Sequence, residues 1–208
     1  MRVQTNMSIL RARRSVCRSC AAFTILELLI VITIIIVLAG LILATVGYVQ
    51  KKGARSRAEA EIAAMSAALE NYKADNGVYP TGSATEGYGP QAAIDFSKYN
   101  PASKYLYGEL TGDNEDFNGA NDTANEQKNK SYFSFKPQLL GRTDMSQPPS
   151  SSNPVSFLRD PFGNSYGYST VQAKTGSGGY NPTFDLWSTG GVVSATNPPD
   201  QTQWIKNW

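Results

Sequence analysis

One uninterrupted apolar run dominates this sequence. Residues 23–49 read FTILELLIVITIIIVLAGLILATVGYV and carry a single charge, Glu27. A helix needs about 20 apolar residues to cross a bilayer core, so the run is long enough to span with some tilt. Its many Val and Ile residues do not argue for a strand, because lipid leaves an isolated segment only the helix to satisfy its backbone. A removable secretory signal has an apolar core of about 7–15 residues, and this run is much longer. It is therefore expected to stay attached.

The residues before it are basic. Residues 1–22 hold Arg2, Arg11, Arg13, Arg14 and Arg18 and no acid. Of the chain's 19 Lys and Arg, 14 remain beyond residue 22, against all 17 Asp and Glu, so the rest is mildly acidic despite a formal net charge of +2. A folded part without basic excess argues against nucleic acid as a partner. The chain has no His, which removes the commonest general base and metal ligand and every Ser-His or Cys-His nucleophile pair. Cys17 and Cys20 are the only cysteines. Their C-x-x-C spacing is that of a zinc or redox half-site, but no second ligand pair accompanies it. No Gly-rich phosphate cradle or nucleophile elbow is present. The abundant aromatics suit packing in a small domain better than a ligand platform.

Helical pattern continues past the apolar run. Segment 50–74 is rich in Ala, Glu, Lys and Arg, good helix formers. Ile62, Met65, Leu69 and Tyr72 make one apolar face, and Arg55–Glu59 and Arg57–Glu61 have i, i+4 spacing. Asp75-Asn76-Gly77 and then Pro80 supply the stop. One helix is thus expected from Phe23 to about Ala74, roughly 75 Å at 1.5 Å per residue. Residues 75–208 are expected to form a small β-rich domain, with short strands at 132–135, 166–170 and 184–188 and irregular segments at 109–130 and 146–154. Such strands bury little alone, so the 62–72 face is their natural packing partner. The resulting class is α+β: a long transmembrane-plus-amphipathic helix packed on a small antiparallel sheet domain with irregular loops.

The segment Ala22-Phe23-Thr24-Ile25-Leu26-Glu27-Leu28-Leu29 resembles the prepilin processing motif of type IV pilins and type II secretion pseudopilins. Phe23 and Glu27 match; Ala22 stands where the family usually has Gly. Three further blocks are similar to the major pseudopilins: ENYKADNGVYPT at 70–81, Asp160-Pro161-Phe162-Gly163-Asn164 with Tyr166 and Tyr168, and Phe184-Asp185-Leu186-Trp187-Ser188 with Gly190, together with the final Asn207-Trp208.

The resemblance implies a pilin-like fold and a 22-residue leader cut between Ala22 and Phe23 by a prepilin peptidase, with N-methylation of Phe23. It also implies a structural rather than catalytic role. The mature chain would stand once through the bacterial inner membrane, its C-terminal domain in the periplasm. There it would polymerise through its helix into the pseudopilus of a type II-like secretion system, alongside other pseudopilins and the membrane platform. The charge count alone leaves orientation balanced, because Lys51, Lys52, Arg55 and Arg57 face the five leader arginines across the run. A carboxylate in an apolar span costs on the order of a few kcal/mol near its centre. Glu27 either snorkels to the headgroup level or, as the resemblance implies, pairs with the new Phe23 amine of a neighbouring subunit. A helix N-terminus would itself favour the negative charge.

Calcium is the one cofactor to weigh. Asn114-x-Asp116-x-Asn118-Gly119 resembles the front of an EF-hand loop, but its twelfth position is Asn125, not Glu, and no flanking helices are evident. The resemblance also implies calcium near the C-terminus, with an Asp just after the Ser-x-Gly turn. This chain has Val192 there, and only Asp185 and Asp200 remain nearby. Two rival readings share the anchor. One is a type IV pilin of a surface fibre, which commonly closes its C-terminal region with a disulfide that this mature chain could not form. The other is a membrane-tethered periplasmic binding module, which would need no carboxylate at Glu27.

Overall fold

The computed structural model describes residues 23–120, 130–193 and 199–208. The leader, with Ala22 and both cysteines, lies outside these residues, as does Asn125. The chain divides into two units, Met1–Gly47 and Tyr48–Trp208.

A single helix, α1, runs Ile25–Asn76. In the first unit its described residues are all exposed. In the second unit Ala58, Ile62, Met65, Ala68 and Leu69 are buried, and Tyr72 packs against them half-buried. That is the apolar face expected from the 3.6-residue period. The helix stops where Gly77 turns left-handed at φ 78° and donates to the Lys73 carbonyl at 2.7 Å.

A short helix α2 (Ser83–Glu86) follows, then α3 (Phe96–Thr111), a 3-10 turn at Pro137–Leu139, β1 (Leu140–Gly141), β2 (Phe157–Leu158), β3 (Gly167–Ser169), a short α4 (Val171–Thr175), β4 (Asp185–Ser188) and β5 (Ile205–Lys206). β1 and β2 form one antiparallel pair; β3, β4 and β5 form a three-stranded antiparallel sheet in that order. The fold is α+β, with a long N-terminal helix and small antiparallel sheets.

Two expectations are corrected. Residues 96–111 were not expected to be helical, yet α3 is well specified. Asp95 caps it by accepting the Ser97 N–H at 2.9 Å, and Gly112 ends it at φ 77°. Tyr99, Ala102, Ser103, Leu106, Tyr107 and Leu110 face inward at helical spacing. Conversely, Tyr132–Phe135 is not a strand. The N–H groups of Tyr132 and Phe133 both donate to the Leu110 carbonyl, at 2.8 and 2.9 Å, so this segment satisfies the end of α3 instead of a sheet edge.

The core joins α1, α3 and the strands: Met65 and Leu69 of α1, Leu106 and Leu110 of α3, and Leu158, Tyr168 and Leu186 of the sheets. Buried Ser103 docks β2 onto α3 by accepting the Leu158 N–H at 2.8 Å. A second cluster gathers Ile94, Tyr99, Trp187 and Trp204.

Candidate functional site

The N-terminus of α1 is built by Thr24 and Glu27. The N–H and Oγ1 of Thr24 both donate to Glu27 Oε2 at 2.9 Å, and the Glu27 N–H donates back to Thr24 Oγ1 at 3.2 Å. This is a capping box, with Thr at the N-cap and Glu at N3, in which each side chain satisfies an otherwise orphaned backbone donor. Glu27 thus closes its own helix. Reading Glu27 for its charge missed this role, although the pattern Thr-x-x-Glu before an apolar run signals it. Both donors meet Oε2; among the described residues, Oε1 accepts no hydrogen bond. Phe23 is 83% exposed.

From Leu28 to Val49 the helix carries no charged side chain. Both threonine hydroxyls of this stretch turn inward on the backbone: Thr33 Oγ1 donates to the Leu29 carbonyl at 2.8 Å and Thr45 Oγ1 to the Ile42 carbonyl at 3.0 Å. By length and composition the helix can cross a membrane.

The candidate calcium ligands have other partners. Asp185, at the start of β4, is buried. Its Oδ2 accepts the Tyr180 N–H at 3.0 Å and its Oδ1 the Asn181 N–H at 2.9 Å. Burial pushes its carboxyl above the usual range, against those two donors. Asp200 is exposed, with Oδ1 on the Thr202 N–H at 3.0 Å. Val192 packs in the second aromatic cluster.

In the acidic loop, Asp116 accepts from the Asn118 side chain at 2.7 Å and from Ser151 at 3.2 Å, while Asn118 Oδ1 accepts the Ala120 N–H at 2.8 Å. Asn114 follows α3 closely, so a helix does precede this loop. The loop's organiser is a residue the sequence did not point to: buried Asp113, whose Oδ2 accepts the Tyr107 hydroxyl and the Gly119 N–H, both at 2.8 Å. Among the described residues, no three His, Cys, Asp or Glu gather as a metal site.

One expected ion pair is present and one is not. Arg57 Nε meets Glu61 Oε1 at 2.7 Å. Arg55 turns away from Glu59 and donates through Nη1 to the Gln203 carbonyl at 2.6 Å.

A long N-terminal helix, apolar and exposed at first, then forming the spine of small antiparallel sheets, defines a pilin-like α+β protein. The chain is 37% identical over 83 residues to the type II secretion system core protein G of Klebsiella michiganensis, a match covering 40% of this chain and 56% of that relative. The chain therefore spans little more than half the length of the curated relative it matches. No family model matches, and no solved structure matches.

Proposed function

We propose that this chain is a structural pseudopilin that polymerises through α1 into the pseudopilus of a type II-like secretion system and catalyses no reaction. The observation that carries the reading is the first part of α1: exposed over residues 25–49 and apolar on every side, with one carboxylate at its N-terminal end. A helix apolar all round must be covered by lipid or by other helices, and only Glu27 gives that surface a register. Similarity to core protein G of a secretion system supports the same reading.

In this reading a prepilin peptidase cuts between Ala22 and Phe23 and methylates Phe23. The protein stands once through the inner membrane with residues 75–208 in the periplasm. The Phe23 amine, cationic at neutral pH, reaches Glu27 of a neighbouring copy, whose Oε1 accepts no hydrogen bond among the described residues. Calcium binds weakly at most, so it raises the melting temperature little.

Crosslinking between copies in membranes tests the assembly step. Glu27→Gln keeps the shape and deletes the charge. Losing one member of a buried pair typically costs about 3–5 kcal/mol, so the crosslinked ladder is expected to vanish while insertion and cleavage persist. Equal ladders from both proteins would refute the charge-pair mechanism. N-terminal sequencing of the membrane-extracted protein should begin at Phe23; a start beyond Gly40 would mean an ordinary cleaved signal.

A further inference from the structure

Arg55 is the group that the reading above leaves without a role. It sits on α1 at helical spacing from Glu59, yet its Nη1 reaches the Gln203 carbonyl at 2.6 Å, a contact spanning 148 positions of sequence. Gly190 crowds the same point. Its φ is 64°, and a Cβ built on it would lie 2.1 Å from the Gln203 oxygen and 3.4 Å from Arg55 Nη1. Three parts of the chain therefore meet at one guanidinium: α1, the turn leaving β4 and the turn entering β5.

At the ends of the β4–β5 connection Lys206 Nζ also reaches the Gln201 side chain, at 3.3 Å, and the remaining contacts come from neutral or anionic groups. Ser188 Oγ donates to Asp160 Oδ2 at 2.6 Å and accepts the Gly190 N–H at 3.1 Å. The Trp204 N–H donates to the Gln201 carbonyl at 3.1 Å. Arg55 brings a full positive charge to this place, and a hydrogen bond from an ionised donor is roughly twice as strong as a neutral one. A calcium ion does comparable work by drawing backbone carbonyls and carboxylates around itself. Among the described residues no three carboxylates gather here, and the Gln203 carbonyl already faces a cation.

We propose that Arg55 is a built-in cation that ties the turn leaving β4 at Gly190 and the turn entering β5 at Gln203 to α1, so that these two turns are held without calcium. This inference does not rest on polymerisation and stands whether or not filaments form.

Hydrogen exchange and thermal melting of the full chain in detergent, with millimolar calcium or with EDTA, test it on wild type, Arg55→Lys and Arg55→Gln. The wild type should show the same melting temperature and the same exchange at Gly190 and Trp204 in both conditions. Arg55→Gln should exchange those two amides about tenfold faster or more, because a charge-assisted contact is lost locally, with the α3 amides unchanged. Arg55→Lys should fall between, since an ammonium can still serve one carbonyl. If Arg55→Gln loses protection throughout, the Lys variant decides: faster exchange confined to Gly190 and Trp204 supports the assignment, and wild-type rates overturn it. Calcium that slows exchange at these amides in the wild type, or EDTA that lowers its melting temperature, also overturns it.

Discussion

The hydroxyl of Tyr166 lies 2.7 Å from Glu61 Oε2, and Oε1 of the same carboxylate takes Nε of Arg57 at 2.7 Å. One carboxylate thus links the fully buried edge of the sheet to an exposed arginine on α1. Burial and the neighbouring Glu61 push the Tyr166 phenol far above its ordinary value, so it stays a donor.

Removing that donor should cost more than removing the surface partner. Tyr166→Phe leaves Glu61 Oε2 unsatisfied at the core edge, and about 1–2 kcal/mol of stability should be lost. Arg57→Ala removes an exposed pair and should cost at most about 0.5 kcal/mol. Urea unfolding of both variants checks this; equal losses would mean that the surface pair, not the phenol, holds the carboxylate.

Acidity should act on Asp160 in an unusual direction. Its Oδ1 accepts the Phe162 and Asn164 N–H groups, at 3.0 and 2.8 Å, and its Oδ2 the Ser188 hydroxyl. Burial nonetheless pushes its carboxyl above the ordinary 3.8. A carboxyl raised on folding binds its proton more tightly when folded. Its contribution to stability is complete below the unfolded value and is lost as pH rises through the folded one. The stability of the wild type relative to Asp160→Asn should therefore increase as pH falls from 7 toward 4. Denaturant titrations across that range decide it, and a decrease would show that the donors outweigh burial.

Gly167 pairs directly with Trp187, and a Cβ on it would lie 2.1 Å from Cε2 of the indole. The ring covers the strand only because position 167 has no side chain. Gly167→Ala should cost about 1–3 kcal/mol through overpacking. A melting temperature unchanged from wild type would mean that the ring has room to withdraw.

The capping role of Glu27 and the role proposed for it in assembly can be separated. Glu27→Gln keeps a residue able to complete the capping box while losing the charge; Thr24→Val keeps the charge and loses the box. The cap is worth about 1 kcal/mol, so Thr24→Val should weaken the crosslinked ladder, and Glu27→Gln should abolish it. The reverse order would make capping the dominant role of Glu27.

Legibility differed between elements for physical reasons. The apolar run and the Ile62–Leu69 face were readable because length and period constrain them strongly, and β3 and β4 because their aromatic segments lie between turn signals. Helix α3 was not read. Pro101, Gly108 and several Ser and Tyr residues give it weak intrinsic propensity, although the inward spacing of Tyr99, Leu106 and Leu110 was there to find. Phe133 and Phe135 alternate like a strand, but their backbone answers to Leu110, a tertiary choice that local pattern does not encode. At the candidate site Phe23 and Glu27 came from motif likeness and the cap from spacing that was overlooked. The contact of Arg55 with Gln203 joins positions too distant for any local rule.

Every tryptophan of the chain, namely Trp187, Trp204 and Trp208, belongs to one aromatic cluster. Trp187 and Trp204 stack within 3° of parallel with centroids 6.0 Å apart, and Trp208 meets Trp187 edge-on at 6.0 Å. None lies on α1. Indole emission from the intact protein is therefore a native optical gauge of the place where β4 and β5 pair. Iodide quenching and the wavelength of that emission will follow the opening of this one patch, with no dye attached and no background from the apolar helix.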